Sequence, residues 1–164
     1  SPEELFQLYL KSVGRGATLL LNVPPDRRGK FHANDSAALV GFLKLRTENF
    51  TRDLLKSAKH SFTNQNRFLK EIVIQMSATE KMNCIVLKED LKKGQNVAKF
   101  RIIIYSSSGE PIKEIKGTTV GHKRIISFPA VEAASVKIII EETKSAALLQ
   151  RTEAYLIDET LIEK

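Results

Sequence analysis

Tryptophan is absent from this 164-residue chain, and cysteine occurs once, as Cys84. One cysteine excludes an internal disulfide framework and a multi-cysteine metal site. Cys84 stands in the apolar run Cys84-Ile85-Val86-Leu87, so it reads as a buried thiol behaving as a small hydrophobe. No run of about 18 apolar residues is present, which excludes a membrane-spanning helix. The opening Ser1-Pro2-Glu3-Glu4-Leu5-Phe6 has two acidic residues and no apolar core, unlike a signal peptide. His32, His60 and His122 are far apart and show no metal-ligand spacing. Neither a phosphate-cradling glycine loop nor a G-x-S-x-G elbow occurs.

Charge of one sign is in excess: the net charge is +7 and the isoelectric point about 9.5. A nucleic-acid binder clusters its basic residues and interleaves them with aromatics that stack on bases. Here lysine and arginine are spread along the chain. The densest groups, Asp26-Arg27-Arg28-Gly29-Lys30 and His122-Lys123-Arg124, are short. The basicity reads as a solvated surface, with neither nucleic acid nor membrane as a partner.

Two hydrophobic periods divide the chain. Ser1-Pro2-Glu3-Glu4 is a capping box with proline at the first helical position. Leu5, Phe6, Tyr9, Leu10 and Val13 follow at helical spacing, and Gly14 and Gly16 stop the helix. Ala17-Thr18-Leu19-Leu20-Leu21-Asn22-Val23 is nearly all apolar and predicts a strand buried on both faces, as in a parallel sheet. Pro24-Pro25-Asp26-Arg27-Arg28-Gly29 is a loop. A second helix is predicted from a cap at Asn34 or Asp35, turning Leu39, Val40, Phe42 and Leu43 inward, and another helical stretch from Phe50 to Leu55. Helix, buried strand, loop and helix form one unit of an α/β barrel or a doubly wound sheet. No parallel neighbour for the strand occurs in the chain, so the strand is expected to have lost its sheet.

From about residue 70 the period is two. Ile72–Ile74, Cys84–Leu87, Phe100–Tyr105, Ile112–Ile115, Arg124–Phe128, Val136–Ile140 and Ala154–Ile157 predict strands, separated by turns at Lys93-Gly94-Gln95, Ser106–Gly109 and Val120-Gly121-His122. Short strands without intervening helices indicate an antiparallel β-sandwich. The expected organisation is therefore a barrel tail over 1–57, a connection over 58–69 and a sandwich over 70–164.

Catalysis by paired carboxyl groups is not visible. A retaining glycosidase holds two of them about 5–5.5 Å apart. Asp26 lies in a loop, while Glu89-Asp90 and Glu141-Glu142 lie at strand ends, where neighbours point to opposite faces.

Two segments carry a resemblance. Leu8 to Gly29, with LLLNVPPDRRG at its end, closely resembles the end of the catalytic barrel in α-L-fucosidases of glycoside hydrolase family 29, and Phe50 to Leu54 resembles the family's exit from it. Val86 to Phe100, together with Gly117 to Ile125, is similar to the galactose-binding-like sandwich that follows the barrel. The fold so implied is an α+β fragment: the tail of a (β/α) TIM-type barrel followed by an antiparallel, jelly-roll-like β-sandwich. The resemblance implies a parent enzyme that releases α-linked L-fucose from glycans with retention, using no cofactor and no essential metal. The family's catalytic carboxylates lie on earlier barrel strands, so none is carried over to this sequence. The expected role is to complete and buttress the barrel; the alternative is a non-catalytic carbohydrate-binding module. The implied partners are the preceding barrel of the same polypeptide and, through it, a fucosylated glycan. The implied setting is secreted or periplasmic, or lysosomal in a eukaryote. Barrel active sites gather at strand C-terminal ends, which makes Asn22 and Asp26 candidates for the active-site rim. In the sandwich, Glu89, Asp90, Gln95, Lys123 and Arg124 are candidates for sugar or barrel contact. The family's acidic, tryptophan-containing loop before the sandwich has no counterpart here.

Overall fold

The computed structural model describes residues 1–64 and 70–162. Two helices, α1 (Pro2–Lys11) and α2 (Ala33–Asn49), precede six antiparallel strands. These are β1 (Lys59–Asn64), β2 (Lys70–Glu89), β3 (Val97–Tyr105), β4 (Pro111–Gly117), β5 (Arg124–Thr143) and β6 (Leu149–Tyr155).

The antiparallel sandwich forms, but from fewer and longer strands than periodicity predicts. Ile72–Ile74 and Cys84–Leu87 belong to one 20-residue strand, β2, and Arg124–Phe128 and Val136–Ile140 to another, β5. The two pair along their length, with register shifts at Gln75/Glu80 and Met82/Cys84. Such irregularities bend a strand and raise its twist, so one pair of strands serves two layers. The first half of β2 joins β1 and the second half of β5, which continues to β3 and β4. The second half of β2 joins β6 and the first half of β5. Ile74, Ile102, Ile104, Ile138, Ile85, Leu87 and Phe100 fill the space between the layers.

Residues Met82 to Leu87 are all buried. Ile85 and Leu87 enter the core between the layers, while Cys84 and Val86 enter a second core with Tyr9, Ile125, Tyr155 and Ile157. The continuous apolar run thus reflects a strand covered on both faces, by the other layer and by the helices. Burial also pushes the Cys84 thiol pKa up, with a smaller contribution from the Glu153 carboxylate.

The N-terminal capping box is present: Ser1 Oγ accepts from Glu4 N at 3.2 Å, and Glu4 turns back to the Ser1 amino group. Phe6 and Tyr9 are the buried residues of α1. Burying each stabilises by roughly 1.5–3 kcal/mol. The helix closes at Gly14, whose carbonyl accepts from Ile125 N at 2.7 Å and so ties the helix exit to β5.

Several local expectations are corrected. The run Ala17–Val23 makes no strand, and Leu20 is 92% exposed; a strand apolar on both faces needs neighbours to pair with, and no described segment pairs with it. The cap of α2 is His32, whose Nδ1 accepts from Asn34 N at 3.2 Å, not Asn34 or Asp35. Of its predicted inward residues, Phe42 packs on Tyr9, but Val40 and Leu43 are exposed at 67% and 51%. Phe50 to Leu55 is not helical. Asp53 Oδ1 accepts from Leu55 N at 3.0 Å and from Ala154 N at 3.2 Å, turning the chain into the sandwich, where Leu55 is buried. The connection expected over 58–69 contains β1, a polar edge strand; residues 65–69 of it lie outside the described residues.

Gly14→Ala tests the helix-to-sheet tie. A methyl there meets the Leu10 carbonyl and comes within 3.0 Å of Ile125 Cβ. The expected loss is about 1–3 kcal/mol, read as a lowered urea midpoint with an unchanged m-value.

Candidate functional site

The candidate residues do not form one site. Glu89 is 2% exposed, and its carboxylate is fully engaged with backbone. Oε1 accepts from Asn96 N at 2.6 Å and Val97 N at 2.9 Å, and Oε2 from Gly121 N at 3.2 Å. Glu89 N donates in turn to the Gly121 carbonyl at 3.0 Å. One buried charge thus holds two turns together, and charge-assisted bonds of this kind are roughly twice as strong as neutral ones. Gly121 has φ +62°, a conformation glycine adopts without strain, and Gln95 Oε1 lies close beside it. Asp90 caps the following 3₁₀ turn by accepting from Lys92 N at 3.0 Å.

Asn22 and Asp26 lie elsewhere. Asn22 is exposed and lines a shallow groove with Ser1, Leu5, Asp35 and Leu39. Asp26 organises its own loop, accepting from Arg28 N at 2.8 Å, Arg28 Nε at 2.9 Å and Lys30 N at 3.3 Å. The bonds from the Arg28 side chain and backbone hold its carboxyl below the usual carboxylate range. Arg124 bridges to Arg15 through the backbone, and its Nε is buried without a partner. Burial, then the charge of Arg15, lowers its pKa.

Lys123 leads to a cavity that sequence reasoning missed. Its Nζ donates to the Tyr9 hydroxyl at 3.0 Å. Around it, where α1 and α2 meet β2, β5 and β6, lies a cavity of about 310 Å³ lined by Tyr9, Arg46, Phe50, Lys88, Glu153 and Tyr155 among others. Glu153 is buried, with Oε2 3.5 Å from Lys88 Nζ and Oε1 2.6 Å from Arg151 Nε. The aromatic walls are continuous: Phe50 lies 5.1 Å from Tyr155 edge to face, and 6.2 Å from Tyr9. No sequence signal joined these residues, since they come from five elements.

No protein-family model matches the chain. It is 24% identical over 181 residues to α-L-fucosidase 1 of Arabidopsis thaliana, covering 93% of this chain and 36% of that protein. Among solved structures, a glycoside hydrolase 29 family member from an unknown rumen bacterium superposes with a TM-score of 0.87 at 32% identity, over 97% of this chain and 29% of that one. SpGH29 gives a TM-score of 0.86 at 30% identity, over 96% and 40%. The chain resembles the C-terminal part of α-L-fucosidases of glycoside hydrolase family 29. It spans about a third of the length of the curated relatives it matches.

Within that fucosidase-like frame, the Glu89 clamp and the cavity lie on opposite faces of the same end of β2. Lys88 faces the helices and Glu89 the turns, because successive strand residues alternate. Glu89→Ala removes one buried carboxylate and leaves three backbone N–H groups without it; the expected cost is about 3 kcal/mol or more, with Glu89→Gln intermediate, by chemical denaturation. Cys84 is expected to resist alkylation by iodoacetamide in the native chain and to react fully in guanidinium chloride, followed by mass spectrometry.

Proposed function

We propose that this chain is the non-catalytic C-terminal part of a retaining α-L-fucosidase that removes α-linked L-fucose from glycans. Its helices complete the catalytic barrel, and its sandwich buttresses them. The observation that carries this reading is the superposition of nearly the whole chain on solved family 29 proteins at 30% and 32% identity. The packing supports it. The sandwich's outer face and α1 share one core through Tyr9, Val86, Ile125 and Tyr155, so the helices are anchored as a rigid extension. Leu8, Leu20, Phe31, Val40 and Leu43 of the N-terminal segment remain exposed, and a preceding barrel is the cover that the family resemblance implies.

The carboxylates support a structural role. Glu89 is consumed by backbone, Glu153 by Lys88 and Arg151, and Glu141 by Arg101 at 2.8 Å. The fucosylated glycan is then reached through the parent barrel, without cofactor or metal, in a secreted or periplasmic setting, or a lysosomal one in a eukaryote. The test is release of p-nitrophenol from p-nitrophenyl α-L-fucoside. The 164-residue chain is expected to be inactive, and the polypeptide that carries the barrel ahead of Ser1 to be active. Turnover by the short chain alone would end the non-catalytic reading; an inactive long polypeptide would end the fucosidase reading.

A further inference from the structure

The helix-facing side of the three-stranded layer changes from apolar to cationic within one row of residues. Val86 lies opposite both Glu153 and Ile125, and Lys88 lies opposite Arg151. Residues two apart on a strand share a face. Moving out from beneath the helices, the row of Tyr155 and Cys84 gives way to Glu153, Val86 and Ile125. Lys88, Arg151 and Lys123 come next. Like charges side by side across strands are destabilising, and among the described residues Glu153 is the one carboxylate lining the cavity beside them. That carboxylate is already shared between Lys88 and Arg151. Lys123 makes no ion pair among the described residues; its Nζ sits 5.6 Å from the centre of the Tyr9 ring and bonds its hydroxyl. Arg46 of α2 brings a further positive charge into the same lining. Its place in the last turn of a helix is favourable in itself, but that accounts for neither Lys88 nor Lys123.

The rest of the cavity has the chemistry of a ring site. Phe50 is the half-buried aromatic of the lining, beside the buried Tyr9 and Tyr155, and no described residue is hydrogen-bonded to the Tyr155 hydroxyl. A volume near 310 Å³ lies at the low end for small-molecule sites and holds one sugar ring, not an oligosaccharide.

We propose that this cavity binds a single acidic sugar residue, one that carries a carboxylate or a sulfate. Lys123 and Arg46 hold the anionic group, Phe50 borders the sugar ring, and the Tyr155 hydroxyl bonds a ring hydroxyl. Every residue it invokes belongs to this chain, so the proposal does not depend on the fucosidase reading.

The experiment titrates the 164-residue chain with glucuronate, galactose 6-sulfate, galactose and inorganic sulfate, by calorimetry and by amide shifts of Lys88, Lys123 and Tyr155. Both acidic sugars are expected to bind saturably, at least tenfold more tightly than galactose or inorganic sulfate, and more weakly as salt rises. Lys123→Gln is expected to weaken the acidic sugars at least tenfold with its melting temperature kept. Arg46→Gln, on an exposed helix surface, is expected to weaken them severalfold, and decides the matter if Lys123→Gln fails to fold. The proposal is overturned by equal affinity for galactose, by inorganic sulfate binding as tightly as the sugars, by unchanged affinity in the folded variants, or by no saturable binding of either acidic sugar.

Discussion

The ladder between β2 and β5 is the constraint on which the rest of the structure depends. Each strand runs for 20 residues through both layers, so the layers are joined by continuous backbone pairing and not only by side-chain packing. The register shifts near Gln75 to Glu80 and at Met82 to Cys84 let one pair of strands bend enough to face itself. Ile74 and Ile138 then lie across the core from Ile85 and Leu87. The outer strands β1, β3 and β6 are placed by pairing onto this ladder, and β4 by pairing onto β3.

The helices depend on the same ladder. Cys84 and Val86 have their alternate face covered by Tyr9, and Tyr155 meets Phe50 edge to face. A chain of rings from Phe6 through Tyr9 and Phe50 to Tyr155 runs from α1 into β6. The Gly14 carbonyl on Ile125 fixes where that chain of rings begins. This packing accounts for one face of the helical segment. Val40, Leu43 and Leu20 have no such cover among the described residues.

Charge is placed with equal economy. Glu89 faces the turns and closes them through three backbone donors, while Lys88, its neighbour, faces the helices and pairs with Glu153. Strand alternation thus sends adjacent polar residues to two unrelated tasks. The first task is structural. The second leaves a surplus of positive charge in the junction cavity.

Local pattern was enough for much of the chain. The capping box at Ser1 and Glu4, the apolar stripe of α1, the antiparallel strands and the burial of Cys84 all follow from residue spacing, because each is decided by neighbours within a few positions. The edge strand β1 was not legible, since Lys59–Asn64 is polar and forms only by pairing with β2. Nor was the merging of short strands into β2 and β5, because the polar middle of β2, Ser77 to Lys81, is carried by the ladder on either side. The same holds for Ala17–Val23, whose apolar run specifies a strand only where a sheet exists to receive it. Sequence alone determined the two hydrophobic periods, the helical start and the sandwich class, which rest on short-range spacing. Only the tertiary structure decided that Glu89 is a clamp and that Tyr9, Arg46, Lys88, Lys123, Glu153 and Tyr155 share one cavity, because strand register and helix docking act between residues far apart in the chain.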